Sequence, residues 1–180
     1  RGEIVAATHG RSLWTLDMSP LRQMTGKVTA AEAHLFRPSA TVRWAGELGF
    51  SRYGQQHFSG QNPAAGCPIY FHLAEGTMVS GIEIRNVKGE VIRKLRTRPV
   101  TGLNLASWDL RLARQPAEGS RQAPRIGPPV APGTYLVVLK VGERELSQEV
   151  TVLADPELPE GLLNEELEQF ERKVRPRYTE

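Results

Sequence analysis

The sequence predicts an all-β protein built as a sandwich of two sheets. Three observations point there. Short apolar runs alternate with polar residues at period two, they are separated by turn residues every 8–12 positions, and the chain is rich in Gly (17) and Pro (13). Counted this way, six good strands and one weaker strand around Val42 emerge.

The elements come in order. Ile4-Val5-Ala6-Ala7 is a short apolar strand, His9-Gly10-Arg11 supplies a bend, and Ser12 to Leu16 alternates, with Leu13 and Thr15 on one side and Trp14 and Leu16 around it. This reads as a buried β-hairpin. "SPLRQMT", Ser19 to Thr25, predicts a helical turn with Ser19 as N-cap, Pro20 at the first helical position, and Leu21 and Met24 on one face. "AHLFRPSATVRWAG" gives two short extended pieces ended by Pro38 and Gly46. Residues 46–68 are polar and rich in Gly, Gln and aromatics without periodicity, which predicts a long loop.

From Ile69 the pattern sharpens. "IYFHLAE" sets Ile69, Phe71 and Leu73 against Tyr70 and His72. "VSGIEIRNVKGEVIRKLR" predicts a hairpin turning at Gly89, with Ile82 and Ile84 facing inward. "GLNLASWDLR" is a strand around Trp108, and "GTYLVVLKVGERELSQEVTVLAD" is a second hairpin turning near Gly142-Glu143. The expected core is Ile69, Phe71, Ile82, Ile84, Leu105, Trp108, Tyr135, Val137, Leu139 and Val152. Residues 111–131, rich in Pro, Gly and Arg, read as a loop. "NEELEQFERKV" predicts a helix capped by Asn164, acidic first and basic last, with Leu167, Phe170 and Val174 as its apolar stripe. The expected organisation is a hairpin at 1–18, a linker with short strands and a long loop at 19–65, the sandwich at 66–155 and a tail with a helix at 156–180.

Bulk properties narrow the function classes. Net charge is +3 and carried mostly by Arg, a mild excess that falls short of the concentrated basic surface of a nucleic-acid binder. One cysteine, Cys67, makes an intrachain disulfide impossible. No apolar run reaches membrane-spanning length and no signal peptide is visible. The start at Arg1-Gly2-Glu3, in mid-strand, is what a piece of a longer polypeptide would show.

Candidate chemistry is sparse. His9, His34, His57 and His72 are all more than four residues apart, and no HExxH, CxxC or acidic calcium loop occurs, so no metal or other cofactor is expected. Cys67 precedes Pro68 where a small thiol packs into a core, and no GxSxG is present. "SGQNPAAG" lacks the Lys of a phosphate cradle, and no pair of carboxylates faces across a sugar-sized gap. No catalytic residue is assigned. Two binding surfaces are candidates. Trp44, Phe50, Tyr53 and Phe58 form an aromatic set for stacking on a glycan or a protein partner. Arg85, Arg93 and Arg96, in a hairpin that also carries Lys88, Lys94 and Arg98, form a set for an anionic partner; the same charges also blunt a sheet edge.

Several motifs, taken in order, resemble a family. "THGRSLWTLD" resembles the last-blade signature of secreted β-propeller proteins with sortilin-like, BNR-type repeats, often labelled glycosyl hydrolase-like. "SPLRQMT", "AHLFRP" and "VRW" resemble the segments that come after that blade in the family. "FSGQNPAAGCPIYFHL" is similar to the segment that leads into a C-terminal sandwich, and "IEIRNVKGEVIRKL", "GLNLASWDLR" and "APGTYLVVLKVG" are similar to that family's Ig-like or fibronectin type III-like module. The resemblance covers residues 1 to about 155. It implies a last propeller hairpin followed by an Ig-like domain, an extracytoplasmic or secreted location, and a propeller as partner, with Leu13, Trp14 and Leu16 as the propeller-pairing residues. That propeller would belong to the same parent or to a separate chain; otherwise the hairpin would pair with another copy or with the linker strands. The aspartate-box motif is absent here, and one hairpin cannot make a propeller. No family site residue therefore maps onto this chain, and any glycoside hydrolase-like catalysis would reside upstream. The implied role is a non-catalytic accessory or interaction domain, with a carbohydrate-binding module as the alternative. Polysaccharide, protein or a second copy of the chain are the implied ligands, and neither nucleic acid nor a membrane span is expected.

Overall fold

The computed structural model describes residues 2–9, 13–44, 66–113 and 127–156. The described residues are mostly strand, with two short helices, so the all-β class holds. In order, the elements are β1 (Glu3–Ala7), β2 (Leu13–Asp17), α1 (Ser19–Gln23), α2 (Gly26–Ala30), β3 (Ala33–Leu35), β4 (Thr41–Val42), β5 (Cys67–Leu73), β6 (Val79–Arg85), β7 (Val91–Leu95), β8 (Gly102–Trp108), β9 (Gly133–Val141) and β10 (Arg144–Leu153).

Among the described residues ten strands form three sheets. β1 and β2 stand alone as a two-stranded ribbon. The body consists of a five-stranded sheet, β4-β10-β9-β6-β7, and a three-stranded sheet, β3-β5-β8. The two body sheets share one apolar core. Cys67, Ile69, Phe71 and Leu73 come from β5 and Ala106 and Trp108 from β8; Ile82, Ile84, Val137, Leu139, Val150 and Val152 come from the facing sheet. Alternation along β5 is complete, since every second residue from Cys67 to Leu73 is buried. Burial of this kind stabilises by roughly 1.5–3 kcal/mol for each large aliphatic or aromatic side chain.

Residues 33–35 and 41–42, in the stretch expected to be a linker, add an edge strand to each sheet. β3 pairs antiparallel with β5, and β4 pairs parallel with β10 through Val152↔Thr41 and Leu153↔Val42. Two buried polar side chains support this junction and its neighbour. Arg43 donates from Nη1 to the carbonyl of Val130 at 3.0 Å, while its own N–H extends the β4–β10 ladder to Leu153 O at 2.9 Å. Asn104, on the inner face of β8, accepts from Val100 N–H at 2.7 Å and donates to the carbonyls of Val100 and Gly102 at 2.7 and 2.9 Å. The amide thus satisfies the bend that leads into β8.

Two expectations need correction. Leu105 is not in the core. It is 55% exposed, because a strand that buries Trp108 must also turn Ala106 and Asn104 inward and Leu103 and Leu105 outward. Leu105 and Trp108 differ by an odd number of residues and cannot share a face. Ser19 is not an N-cap either. It is the first residue of α1, and its N–H is held by the Asp17 carboxylate at 2.8 Å. Pro20 is buried, but Leu21 is exposed. A second helical turn, α2, comes immediately after, capped by Thr25, whose hydroxyl accepts from Val28 N–H at 3.3 Å. The remaining core expectations match the structure, with Tyr135 half-buried against Trp108. The predicted helix at 164–174 lies outside the described residues.

Candidate functional site

The β1–β2 ribbon is the feature that the body does not explain. Its register pairs Ile4 with Leu16 and Ala6 with Trp14. Directly opposed residues project to the same side. One face is therefore Ile4, Ala6, Trp14 and Leu16, apolar throughout; the other carries Val5, Thr15, Ala7 and Leu13 and ends in the opposed acids Glu3 and Asp17. Leu13 is 69%, Trp14 65% and Leu16 56% exposed, and Ile4 and Val5 are also exposed. Among the described residues no further strand pairs with either edge. The expectation of a buried hairpin is thus corrected: nothing described covers it, and the linker strands β3 and β4 pair with β5 and β10 instead.

The ribbon is nonetheless anchored at its base. Met18 N–H donates to Gly2 O at 2.6 Å, continuing the ladder by one pair. Asp17 accepts from Ser19 N–H and from the Tyr70 hydroxyl on the outer face of β5. Burial first, and then that carboxylate, push the Tyr70 phenol above its ordinary range. The helical layer is fixed next to it. Gln23 donates to Arg37 O at 3.1 Å and accepts from Arg37 N–H at 2.9 Å, so one side-chain amide clips α1 to the strand segment after β3.

The arginine set divides. Arg85 forms a two-point pair with Glu145, at 2.9 and 2.7 Å, and also reaches Glu83 at 2.9 Å. Lys140 lies 3.0 Å and Lys94 3.8 Å from the same Glu83 carboxylate. These strands present alternate residues outward, so β6, β7, β9 and β10 bring the five groups together. Glu83 is almost covered by them, and Arg85, then Lys140, hold its carboxyl below the usual carboxylate range. Arg93 pairs with Asp109 at 2.8 Å and donates to Leu112 O at 3.0 Å, which ties β7 to the segment after β8. Arg96 is exposed just beyond β7. Two of the three arginines are therefore engaged in the scaffold.

Of the aromatic set, Trp44 lies just after β4 and is 50% exposed; Phe50, Tyr53 and Phe58 lie outside the described residues. Cys67 is fully buried at the start of β5, where burial pushes its thiol up and a hydrogen bond with Thr41 partly offsets this. An open cleft of about 360 Å³ is lined by Arg37, Leu136, Ser147, Gln148 and Glu149. Its lining offers no nucleophile paired with a base.

Sequence reasoning passed over one juxtaposition. His34 on β3 and His72 on β5 are direct cross-strand partners. They are 38 positions apart in the chain, and only the pairing of β3 with β5 brings them together. Burial, and then the charge of His72, lower the His34 pKa. Among the described residues no group of three or more His, Cys, Asp or Glu converges, and no helix is long and apolar enough to cross a membrane. No family model, curated protein or solved structure matches the chain.

Proposed function

We propose that the chain is a non-catalytic accessory domain of an extracytoplasmic β-propeller protein. In this reading the two-sheet body is an Ig-like sandwich and the β1–β2 ribbon is the last hairpin of a propeller blade. The single observation that carries the reading is the ribbon's uncovered state: a two-stranded sheet with one wholly apolar face and, among the described residues, two free edges. An isolated two-stranded hairpin is marginal in water, and an apolar face with open edges is a surface made for other strands. The "THGRSLWTLD" resemblance names which strands those would be.

The test is hydrogen exchange at the β1 and β2 amides, with Trp14 emission alongside. In this chain alone the outward-facing amides of both strands exchange fast and Trp14 emits as a solvated indole. In the longer polypeptide carrying the blade, one edge becomes protected and Trp14 emission shifts to the blue. Identical exchange and emission in both would defeat the proposal.

A second reading, a carbohydrate-binding module, has Trp44 in its favour, since a half-exposed indole beside a strand end is a stacking surface. Binding on a glycan array that disappears with Trp44→Ala would support it, and a silent array would remove it.

A further inference from the structure

The outer face of the three-stranded sheet holds the second unusual arrangement. His34 and His72 oppose each other across β3 and β5. The flanking bonds, Phe36 N–H to Tyr70 O at 3.1 Å and Ala74 N–H to Glu32 O at 2.8 Å, step along the ladder in twos. His34 and His72 are thus a hydrogen-bonded pair, with Cα atoms about 5.5 Å apart and Cβ atoms about as close. Both imidazoles stand outward, because Ala33, Leu35, Phe71 and Leu73 take the inner face. Both residues are half-buried.

Two details make this more than proximity. The His34 ring stands edge-on to Phe36, with centroids 4.8 Å apart and planes at 78°, and Phe36 itself is fully buried. That contact restricts the ring before any ligand arrives. Among the described residues His72 Nδ1 is buried and has no hydrogen-bond partner, whereas buried ring nitrogens are ordinarily satisfied. Two imidazole nitrogens that meet a common ion at about 2.0–2.1 Å need lie only some 3.3 Å apart, which rings on adjacent strands can reach. Nitrogen donors of this kind suit zinc, copper and nickel rather than calcium or magnesium, which take oxygen.

We propose that His34 and His72 form a two-histidine chelate for a borderline divalent cation of the zinc class. With no third side chain converging among the described residues, water completes the coordination. Two protein ligands distinguish it from a closed structural zinc site, which has four. The bound ion ties β3, an edge strand of only three residues, to β5. It thereby holds the helical layer, and the ribbon beyond it, against the body.

The experiment is a zinc titration of the full chain by calorimetry, with the histidine ring nitrogens followed by NMR. The expected result is one ion per chain, with the His34 and His72 ring signals moving together and saturating at one equivalent. His34→Gln and His72→Gln should each weaken binding at least tenfold, and His9→Gln, on the exposed ribbon turn, should leave it unchanged. The ring signals of the unaltered chain give a readout that does not depend on the variants folding. Zinc that leaves the His34 and His72 rings unmoved, or that binds both Gln variants with unaltered affinity, overturns the proposal.

Discussion

Replacing Trp14 by Glu separates the two environments that the ribbon is proposed to experience. In the chain alone Trp14 is 65% exposed and lies outside the core cluster that joins the two body sheets. Its loss should change the body's unfolding free energy by no more than about 0.5 kcal/mol, as for other surface positions. In the proposed longer polypeptide the exposed part of the indole would be covered. A buried Trp removes roughly 150–250 Å² from water, so covering about two-thirds of it removes about 100–160 Å². At about 25 cal/mol per Å² this contributes about 2.5–4 kcal/mol to docking. The Glu carboxylate adds a desolvation cost on top. Since about 1.4 kcal/mol is a factor of ten, docking should weaken by roughly two to three orders of magnitude. Urea unfolding of both polypeptides, followed by circular dichroism and by protease sensitivity of the ribbon, reads the difference. A loss above about 1 kcal/mol in the chain alone would show that the ribbon packs on the body. An unchanged longer polypeptide would show that nothing docks there. Either result refutes the reasoning.

The body yields further outcomes. Trp108 is fully buried, donates from Nε1 to Arg111 O at 3.1 Å and stands edge-on to Tyr135 with centroids 5.3 Å apart; Trp108→Ala should cost about 3–5 kcal/mol in urea unfolding, and a loss under 1 kcal/mol would mean the strand register is wrong. Gly66 has φ +107°, and a Cβ there would clash with the carbonyl oxygen of Trp108. Gly66→Ala should therefore destabilise by more than the roughly 1–3 kcal/mol of backbone strain alone, whereas Gly76→Ala, at φ +76° in open space, should show only the strain. Acid unfolding should report Glu83. Its folded-state carboxyl lies below the ordinary 4.5 because of Arg85 and Lys140, so the unfolded chain takes up the proton first as pH falls. Stability from this group is complete above about pH 4.5 and declines as pH drops through the lower folded value. Glu83→Gln should flatten that acid limb, and an unchanged pH profile would contradict the assignment.

Much of the body is legible in the sequence because its information is local. The alternation of Ile69, Phe71 and Leu73, and the turns at Gly89 and Gly142, both at positive φ, depend on neighbours in sequence. Leu105 is misplaced when hydrophobicity is weighed without parity: three large apolar residues in "LNLASW" compete, and Trp108, the largest, decides which face is inward. The short strands β3 and β4 carry too few residues for a periodic signal. Only their pairing with β5 and β10 shows that they complete the sheets. The same holds for His34 and His72, whose relation exists only through that pairing. The ion cluster around Glu83 needs four strands placed side by side before its charges can be matched. The ribbon is the opposite case. Its motif is plain in sequence, but no described strand of the chain buries it.

The parallel pairing of β4 with β10 has a mechanical consequence. The strand near the chain's beginning and the strand near its end run side by side in the same direction, joined at Thr41, Val42 and Arg43. If a neighbour fixed to the ribbon and another fixed beyond Asp155 were pulled apart, the tension would run along both strands in opposite senses. The hydrogen bonds between them would then be sheared together instead of being opened one at a time. Once β3 had been drawn off β5, a domain strung between two such attachments would resist stretching at this seam, with the buried Arg43 as its third rivet.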